Sequence, residues 1–494
     1  FLAPKAIYDI DASIIACDKI KYIAVADSKI IPDSGRVVIQ KKAKMQTLDK
    51  ATVISNYVTQ YHRIFNSTLN IYGRLEYAGE GDYTYYDEDK VQQIVHLDQI
   101  KVDTTLQTVA FGRIEEEDAF FLSKAFAYYG DFELTANNPY LTFDGGAQIM
   151  HECDLIERSW LQFRSEINPE DIFIPIDTNL RDVTATRLGV GVMVSSDSPI
   201  ELYSTFLSAK TDRDDEGLIE ALGYLYFDKK TRQYLVGSKE KISQPNLPGN
   251  LVVLNTENCE ISGDGKIDFQ VDLGLLTFNQ IGTIKNDGVQ NKTYIDGVAA
   301  LDFFFDEASL KHFTDMVQAW PELNPVDITK THYEKGIREI MGLENSDKAI
   351  SDLNLNGQFK KLPDELQSTI FFADVKFEWN DVDESYQSVG ALGIATIGKK
   401  QVFRYVKGKI EIEKRRSADV LRIYFELDPG NWYFFEYKLG ILNITSTDLE
   451  FMELVQAVKE DKRRIKEDKQ QFSFQVIASK KKRNDFVDRF REFD

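Results

Sequence analysis

Residues 69–77 read Leu-Asn-Ile-Tyr-Gly-Arg-Leu-Glu-Tyr, and this stretch decides the fold class. Leu69, Ile71, Leu75 and Tyr77 recur at even spacing with mostly polar residues between them, which predicts a strand with one buried face. Similar runs separated by turns occur at 36–39, 94–102, 126–134 and 140–149. Residues 1–160 are therefore predicted to form a β-solenoid or a β-sandwich.

The middle of the chain, residues 161–345, has a mixed pattern that predicts an α+β domain. Two helices are expected there. Leu310, Phe313, Val317 and Trp320 follow a helical spacing and stop at Pro321. Tyr333, Ile337, Ile340 and Met341 follow another, with Thr329 or Thr331 as the cap and Gly342 as the end.

The last part of the chain returns to strand patterns. Residues 346–366 are polar and rich in turn formers, which predicts a linker. Residues 367–494 are predicted to form an antiparallel β domain with C-terminal helices, of which a long polar helix runs from Thr447 to Lys469. The predicted class is thus mainly β with α+β parts.

The composition limits the classes of partner. The 494 residues carry a net charge of −21, which opposes binding to the phosphates of nucleic acids. Apolar runs are far shorter than the about 20 residues that span a bilayer, so no membrane-spanning segment is predicted.

One acidic stretch resembles the start of a calcium-binding loop. Glu260, Ser262, Asp264 and Asp268 place oxygen donors around Gly265, but Val271 stands where the closing carboxylate belongs. The alternative is a Gly-Asp-Gly hairpin turn between a strand that ends at Ile261 and one that begins at Ile267.

Other cofactor signatures are weak. The five histidines lack His-x-x-x-His spacing, so a zinc site is not predicted. Residues 393–400 nearly match a phosphate-binding loop, but Lys400 replaces the metal-binding hydroxyl and a strand pattern follows. A β-turn is the preferred interpretation, and no cofactor is predicted.

Three neighbouring tyrosines are a candidate binding feature. Tyr83, Tyr85 and Tyr86 lie beside acidic residues and are predicted to form an aromatic platform for a sugar or a protein. Tyrosine is also a favoured strand residue, which is the alternative explanation.

Several segments resemble a family of very long Bacteroidota envelope proteins. They include residues 72–77, 141–147, 390–393 and 407–413. The resemblance implies that this chain is a C-terminal portion of a larger protein. Residues 132–136 and 141–145 are more weakly similar to the rungs of periplasmic lipopolysaccharide-transport proteins, whose stacked strands form an apolar trough. That likeness implies a location in the cell envelope or periplasm.

Taken together, these patterns predict a non-catalytic scaffold or interaction protein of a bacterial cell envelope, which binds a protein partner through the helix from Thr447 to Lys469. Two alternatives stay open. One is a glycan-acting enzyme or glycan-binding protein that uses surface carboxylates. The other is a component of a lipid conduit.

Overall fold

The computed structural model describes residues 3–288, 290 and 292–490. Strands hold 49% of the chain and helices 15%, which confirms the mainly-β class with α+β parts. The chain divides into two compact units. The first unit comprises Phe1–Leu188 with Tyr224–Phe227, and the second comprises Gly189–Gly223 with Asp228–Asp494.

The first unit consists almost entirely of strands. In chain order these are β1 (Lys5–Asp9), β2 (Ile14–Asp18), β3 (Ile23–Val25), β4 (Ser28–Ile31), β5 (Val37–Ile39), β6 (Leu48–Ser55), β7 (His62–Ile71), β8 (Tyr77–Tyr86), β9 (Gln92–Val102), β10 (Thr108–Ile114), β11 (Phe121–Ser123), β12 (Phe126–Thr135), β13 (Leu141–Ile149), β14 (Leu161–Ile167) and β15 (Ile174–Ile176).

Alternating burial explains these strands. In β12, every second residue from Phe126 to Leu134 is buried, as period-two patterning requires. Residues 69–77, however, contain a turn and not one continuous strand. Leu69 and Tyr77 are buried in β7 and β8, whereas Leu75 is 52% exposed because residues 72–76 connect the two strands.

Strands β3, β4 and β6 to β14 form one antiparallel sheet of eleven strands, instead of the stacked rungs or the two facing sheets expected for residues 1–160. The sheet curls strongly. In a flat sheet, β8 and β13 would lie about 19 Å apart, because four steps of about 4.8 Å separate them. The rings of Tyr85 and Phe143, on those strands, are 5.9 Å apart. The hydroxyls of Ser28 and Thr108, five steps apart, are 2.7 Å apart. The core of the unit fills the inside of this curl.

The remaining strands are β16 (Leu188–Val194), β17 (Leu202–Ala209), β18 (Glu216–Glu220), β19 (Gly223–Asp228), β20 (Gln233–Gly237), β21 (Leu251–Asn255), β22 (Ile261–Ile267), β23 (Thr277–Asp287), β24 (Lys292–Asp302), β25 (Ile370–Asn380), β26 (Ser385–Ile397), β27 (Lys400–Glu413), β28 (Val420–Asp428), β29 (Asn431–Lys438), β30 (Ile441–Ser446), β31 (Arg464–Glu467) and β32 (Gln470–Val476). The helices are α1 (Lys239–Ser243), α2 (Glu307–Ala319), α3 (Thr331–Met341), α4 (Leu343–Asn356), α5 (Leu449–Ala457) and α6 (Lys481–Phe490).

One large sheet organises the second unit. It runs from β20 to β30 in chain order and then continues with β32 and β31. Helices α2 and α5 cover one face, where Phe313 packs on Phe425 and Tyr433. Helices α3 and α4 cover the other face, where Ile337 and Leu353 are fully buried. The hydrophobic core therefore has two layers, one on each face of the sheet.

The expected division at residues 346–366 is not present. Strand β24 pairs directly with β25, so the regions predicted as separate middle and C-terminal domains share one sheet. Most of the predicted linker is helix α4, which buries Ile350 and Leu353 next to α3. Its polar residues gave the appearance of a linker because they occupy the exposed face of this helix.

The two helices predicted in the middle region are confirmed as α2 and α3. Helix α2 begins after Asp306, whose carboxylate accepts a hydrogen bond from the Ser309 amide at 2.8 Å. Helix α3 ends at Gly342 as predicted, and Lys330 occupies the N-cap position between the two threonines proposed for it. The turn expected at residues 398–399 is also present, between β26 and β27.

The prediction of a helix from Thr447 to Lys469 is wrong beyond the first half of that range. Helix α5 ends at Ala457, a short 3-10 turn follows, and β31 and β32 then form a hairpin. The hairpin packs against the core of the second unit through Ile465, Phe472 and Phe474. Burial of these side chains outweighs the helical propensity of the surrounding charged residues. In the part of the chain that the structure describes, no helix is both long enough and apolar enough to span a membrane.

Candidate functional site

The three predicted platform tyrosines line one open pocket, but their side chains do not share one face of the strand. Tyr85 is 3% exposed, donates a hydrogen bond to the Leu122 carbonyl at 3.0 Å, and packs on Phe120 and Phe143 in the core. Tyr83 lies on the same face, with its hydroxyl 3.2 Å from His62 Nδ1. Tyr86 points to the opposite face and is 51% exposed. Strand alternation thus separates one tyrosine from the other two.

The acidic stretch at residues 260–268 is a strand and not a loop. Residues 261–267 form β22 without interruption, so the hairpin turn considered at Gly263–Gly265 is also absent from this described segment. Successive Cα atoms of Glu260, Ser262 and Asp264 are about 6.6 Å apart along an extended strand, so the backbone does not wrap around one ion as a calcium-binding loop does. Asp268 follows the strand, and its carboxylate accepts a hydrogen bond from the Gln270 amide at 2.8 Å.

Lysines already pair with two of these carboxylates. Lys285 lies 3.0 Å from Glu260. Lys335 of helix α3 binds Asp264, and the buried Lys241 lies 3.7 Å from the same carboxylate. Burial lowers the pKa of Lys241, while Asp264 acts in the opposite direction. Asp264 therefore helps to hold α3 against the sheet.

A cleft opens close to this position, where β22 separates from β23. The last residue pair between the two strands is Ile267 with Gln280. Strand β23 continues to Thr277 and pairs with β24 over those residues. On its other side, residues 277–279 have no partner strand among the residues that the structure describes. Thr277 and Asn279 are exposed, so a short free strand edge faces solvent.

The cleft has a volume of about 650 Å³, which is in the range of small-ligand sites. The loop 268–276 forms one wall. Phe269 fixes this loop by stacking on Tyr386 at 4.3 Å, and Leu273 and Leu276 are buried beneath it. The end of α3, at Ile340, forms the opposite wall together with Phe371 of β25.

Gln280 gives the cleft its most unusual polar group. The residue is 1% exposed and lines the cleft. Within the described ranges, neither its side-chain nitrogen nor its side-chain oxygen has a hydrogen-bond partner. An unpaired buried amide destabilises a fold by about 1–3 kcal/mol, so such a group requires a specific partner, and a bound ligand or water supplies one.

Acidic side chains surround the entrance. Lys266 contributes one positive charge, and its ammonium lies 3.7 Å from Glu339. Five carboxylates line the cleft: Asp268, Asp272, Asp302, Glu339 and Glu365. The rim therefore favours a ligand that carries positive charge.

These cleft residues were missed at the sequence level. Gln280 and the free edge lie in the stretch Thr-Phe-Asn-Gln-Ile at 277–281, which reads only as an ordinary strand. The feature that identifies this edge is the missing partner strand. Strand pairing is a property of the folded sheet, so the sequence does not reveal it. No family model, curated protein or solved structure matches the chain. The resemblance to Bacteroidota envelope proteins therefore stays a prediction.

Proposed function

We propose that this chain is a non-catalytic interaction protein, and that the cleft at residues 266–281 binds a short extended segment of a protein partner. The observation that carries the proposal is the unpaired amide of Gln280 beside the free edge of β23. A peptide that adds to a strand edge gains main-chain hydrogen bonds, and an adjacent pocket selects its side chains.

The lining of the cleft defines the chemistry of that segment. Phe269, Phe278 and Ile340 favour an apolar side chain. The Gln280 amide offers one donor group and one acceptor, which matches a peptide unit. The acidic rim favours a lysine or arginine next to the apolar residue. The expected ligand is thus an extended segment in which apolar and basic residues alternate.

The glycan-acting alternative gains little support from the carboxylates. A glycosidase acid requires a raised pKa. Where a shift is resolved in the described chain, the carboxyl pKa values are lowered, as at Asp215 and Asp448. In both, burial would raise the pKa, but hydrogen bonds to the carboxylate more than offset it. These groups favour the charged state and suit structural roles.

The lipid-conduit alternative requires an open apolar trough. Inside the curled sheet of the first unit, aromatic rings occupy the position where the trough would lie. Tyr128 packs on Phe143 at 4.9 Å and on Phe163 at 5.9 Å. This packing favours a filled core. The proposed envelope location rests on the sequence resemblance alone.

Selection of peptides on the full chain tests the proposal. A displayed library of random peptides is enriched on the protein, and the affinity of the enriched peptides is measured by fluorescence polarisation. We expect peptides with apolar and basic residues, and weaker binding to two variants. Gln280→Leu removes the unpaired amide, and Val271→Trp fills the cleft from the loop. Leu355→Trp, at a 77% exposed position on α4, is the matched control.

Stability distinguishes lost recognition from lost folding. Because Gln280→Leu replaces an unpaired amide with an apolar group of similar size, we expect the free energy of unfolding to rise by about 1–3 kcal/mol while binding weakens. Equal affinity for all variants, or no enrichment of any peptide, would contradict the proposal. A loss of stability in Gln280→Leu would show that the amide has a structural partner.

A further inference from the structure

A polar cluster separate from the cleft lies under the start of helix α3, on the face of the second unit's sheet that α3 and α4 cover. Asp296 lies on β24, Asp374 lies on β25, and His332 lies in the first turn of α3. One potential ligand atom from each residue lies within 4.8 Å of the others. Gly336 allows this approach, since a Cβ there would be 2.4 Å from the side chain of Val298 on β24.

Hydrogen bonding fixes the state of the histidine ring. His332 Nε2 lies 3.2 Å from the Ala373 carbonyl, and a carbonyl can only accept, so Nε2 carries a hydrogen. The other nitrogen, Nδ1, faces Asp296 Oδ1 at 3.9 Å. This separation is too long for a hydrogen bond, so a proton on Nδ1 would not bridge the two atoms.

Two carboxylate oxygens point at the ring without a partner. Asp374 is 5% exposed, and Asp296 Oδ1 is buried although the rest of that side chain reaches solvent. Neither Asp296 Oδ1 nor Asp374 Oδ1 accepts a hydrogen bond from any described residue. Asp374 Oδ1 lies 3.5 Å from His332 Nε2. With the hydrogen on Nε2, Nδ1 carries a lone pair, so the buried Asp296 Oδ1 and the ring nitrogen that it faces repel each other unless a cation lies between them.

Neighbouring groups hold the outer oxygens and leave the inner ones free. Lys330 and Tyr405 both donate to Asp374 Oδ2, with the tyrosine hydroxyl at 2.6 Å. Lys376 lies 3.4 Å from Asp296 Oδ2. Metal-binding histidines commonly donate their second ring nitrogen to a backbone carbonyl, as His332 does, and metal-binding carboxylates are similarly held by outer hydrogen bonds.

We infer that Asp296, His332 and Asp374 form a binding site for a divalent transition-metal ion. An ion between His332 Nδ1 and Asp296 Oδ1 would bond to each atom at about 2.0–2.2 Å. Two such bonds that meet at a wide angle span the 3.9 Å between these atoms. One imidazole and two carboxylates suit zinc better than magnesium. Three protein ligands leave a coordination position for water. Because Lys330 and Lys376 bring positive charge close to the ion, we expect weaker binding than in a site with unneutralised carboxylates.

Calorimetric titration of the full chain with Zn²⁺ tests the site. We expect one binding event in the wild type, its loss in Asp296→Asn and in His332→Asn, and no competition from Mg²⁺ at equal concentration. The Asp296 side chain is 41% exposed, so its replacement is compatible with folding. His96→Asn is the matched control, because His96 pairs with the single carboxylate of Asp82 at 2.9 Å.

A thermal shift provides the second readout. Zn²⁺ should raise the Tm of the wild type and of the His96→Asn control but not that of the Asp296→Asn protein. An absence of Zn²⁺ binding in the wild type would overturn the assignment. Retention of the same binding event in both Asp296→Asn and His332→Asn would also overturn it and place the ion elsewhere.

Discussion

His62 illustrates how a buried polar side chain in the first unit is paired. The residue is completely buried, and its Nε2 donates to the Asn138 carbonyl at 2.6 Å. Its Nδ1 then accepts from the Tyr83 hydroxyl at 3.2 Å. Both ring nitrogens are satisfied in the neutral state, and a second proton on Nδ1 would require the Tyr83 hydroxyl to change from donor to acceptor.

His62 makes the stability of the first unit depend on pH. Burial lowers the pKa of His62 below 6.5, although backbone hydrogen bonds to Asn138 and Thr135 oppose the shift. A histidine whose pKa is lower in the folded state stabilises the fold fully above its unfolded pKa, and this contribution is lost as the pH falls through the folded pKa. Calorimetry at about pH 7.5 and about pH 5.5 should show a smaller drop of Tm in His62→Gln than in the wild type.

The half-exposed His96 provides the control for this experiment. His96→Gln should retain the pH dependence of the wild type, because the His62 pairing is unchanged. If the pH dependence of Tm is the same in His62→Gln and the wild type, the neutral buried histidine does not account for it.

Some residues of the proposed metal site had a signal in the sequence that was not used. Asp374 interrupts the apolar run Ile-Phe-Phe-Ala-Asp-Val at 370–375, and a buried carboxylate in such a run requires a specific partner. His332 was dismissed because it lacks a second histidine at helical spacing. Its neighbours come from two strands distant in sequence, and only the pairing of β24 with β25 brings them together.

At the scale of secondary-structure elements, a 3-10 turn and β31 replace the second half of the predicted partner-binding helix, and β31 forms a hairpin with β32. Strand β32 pairs in parallel with β30 and therefore belongs to the main sheet. Phe472 is completely buried and stacks on Tyr437 at 5.8 Å. Removal of all residues after Thr447 would thus delete part of the core and not only an exposed helix.

Truncation of one side chain measures this role. Phe472→Ala should lower the free energy of unfolding by about 3–5 kcal/mol, because it opens a cavity in the core. Leu439→Ala, in a turn next to the same strands and 71% exposed, should change it by less than about 0.5 kcal/mol. Denaturation followed by tryptophan fluorescence reports mainly on this unit, because Trp320, Trp379 and Trp432 lie in it and Trp160 lies in the first unit. Equal effects of the two variants would contradict the position of β32 in the core.

Element prediction succeeded where local and tertiary preferences agree. Helices α2 and α3 combine helical spacing with clear end signals at Pro321 and Gly342. Residues 464–476 lie in a charged environment with helical propensity, and the alternation of Phe472 and Phe474 is brief. The pairing of β32 with β30 determines the structure of residues 464–476. A local sequence pattern does not show which strands will pair.

For the whole molecule, the net charge of −21 and the acidic rim of the cleft point to the same kind of partner. A basic segment would be attracted to the chain at long range and then held by the short-range contacts of the cleft. Screening by salt should weaken the first step more than the second. The proposed peptide and the proposed metal ion use different residues of the second unit, so the two proposals stand or fall separately.

Hydrogen exchange with a peptide enriched on this chain is the most direct test of the cleft as an interaction site. Strand addition would place new main-chain hydrogen bonds on β23, so amide exchange should slow in a fragment that covers residues 277–279, and in Gln280→Leu this protection should diminish. Protection confined to other segments, such as the exposed face of the curled sheet in the first unit, would contradict the account.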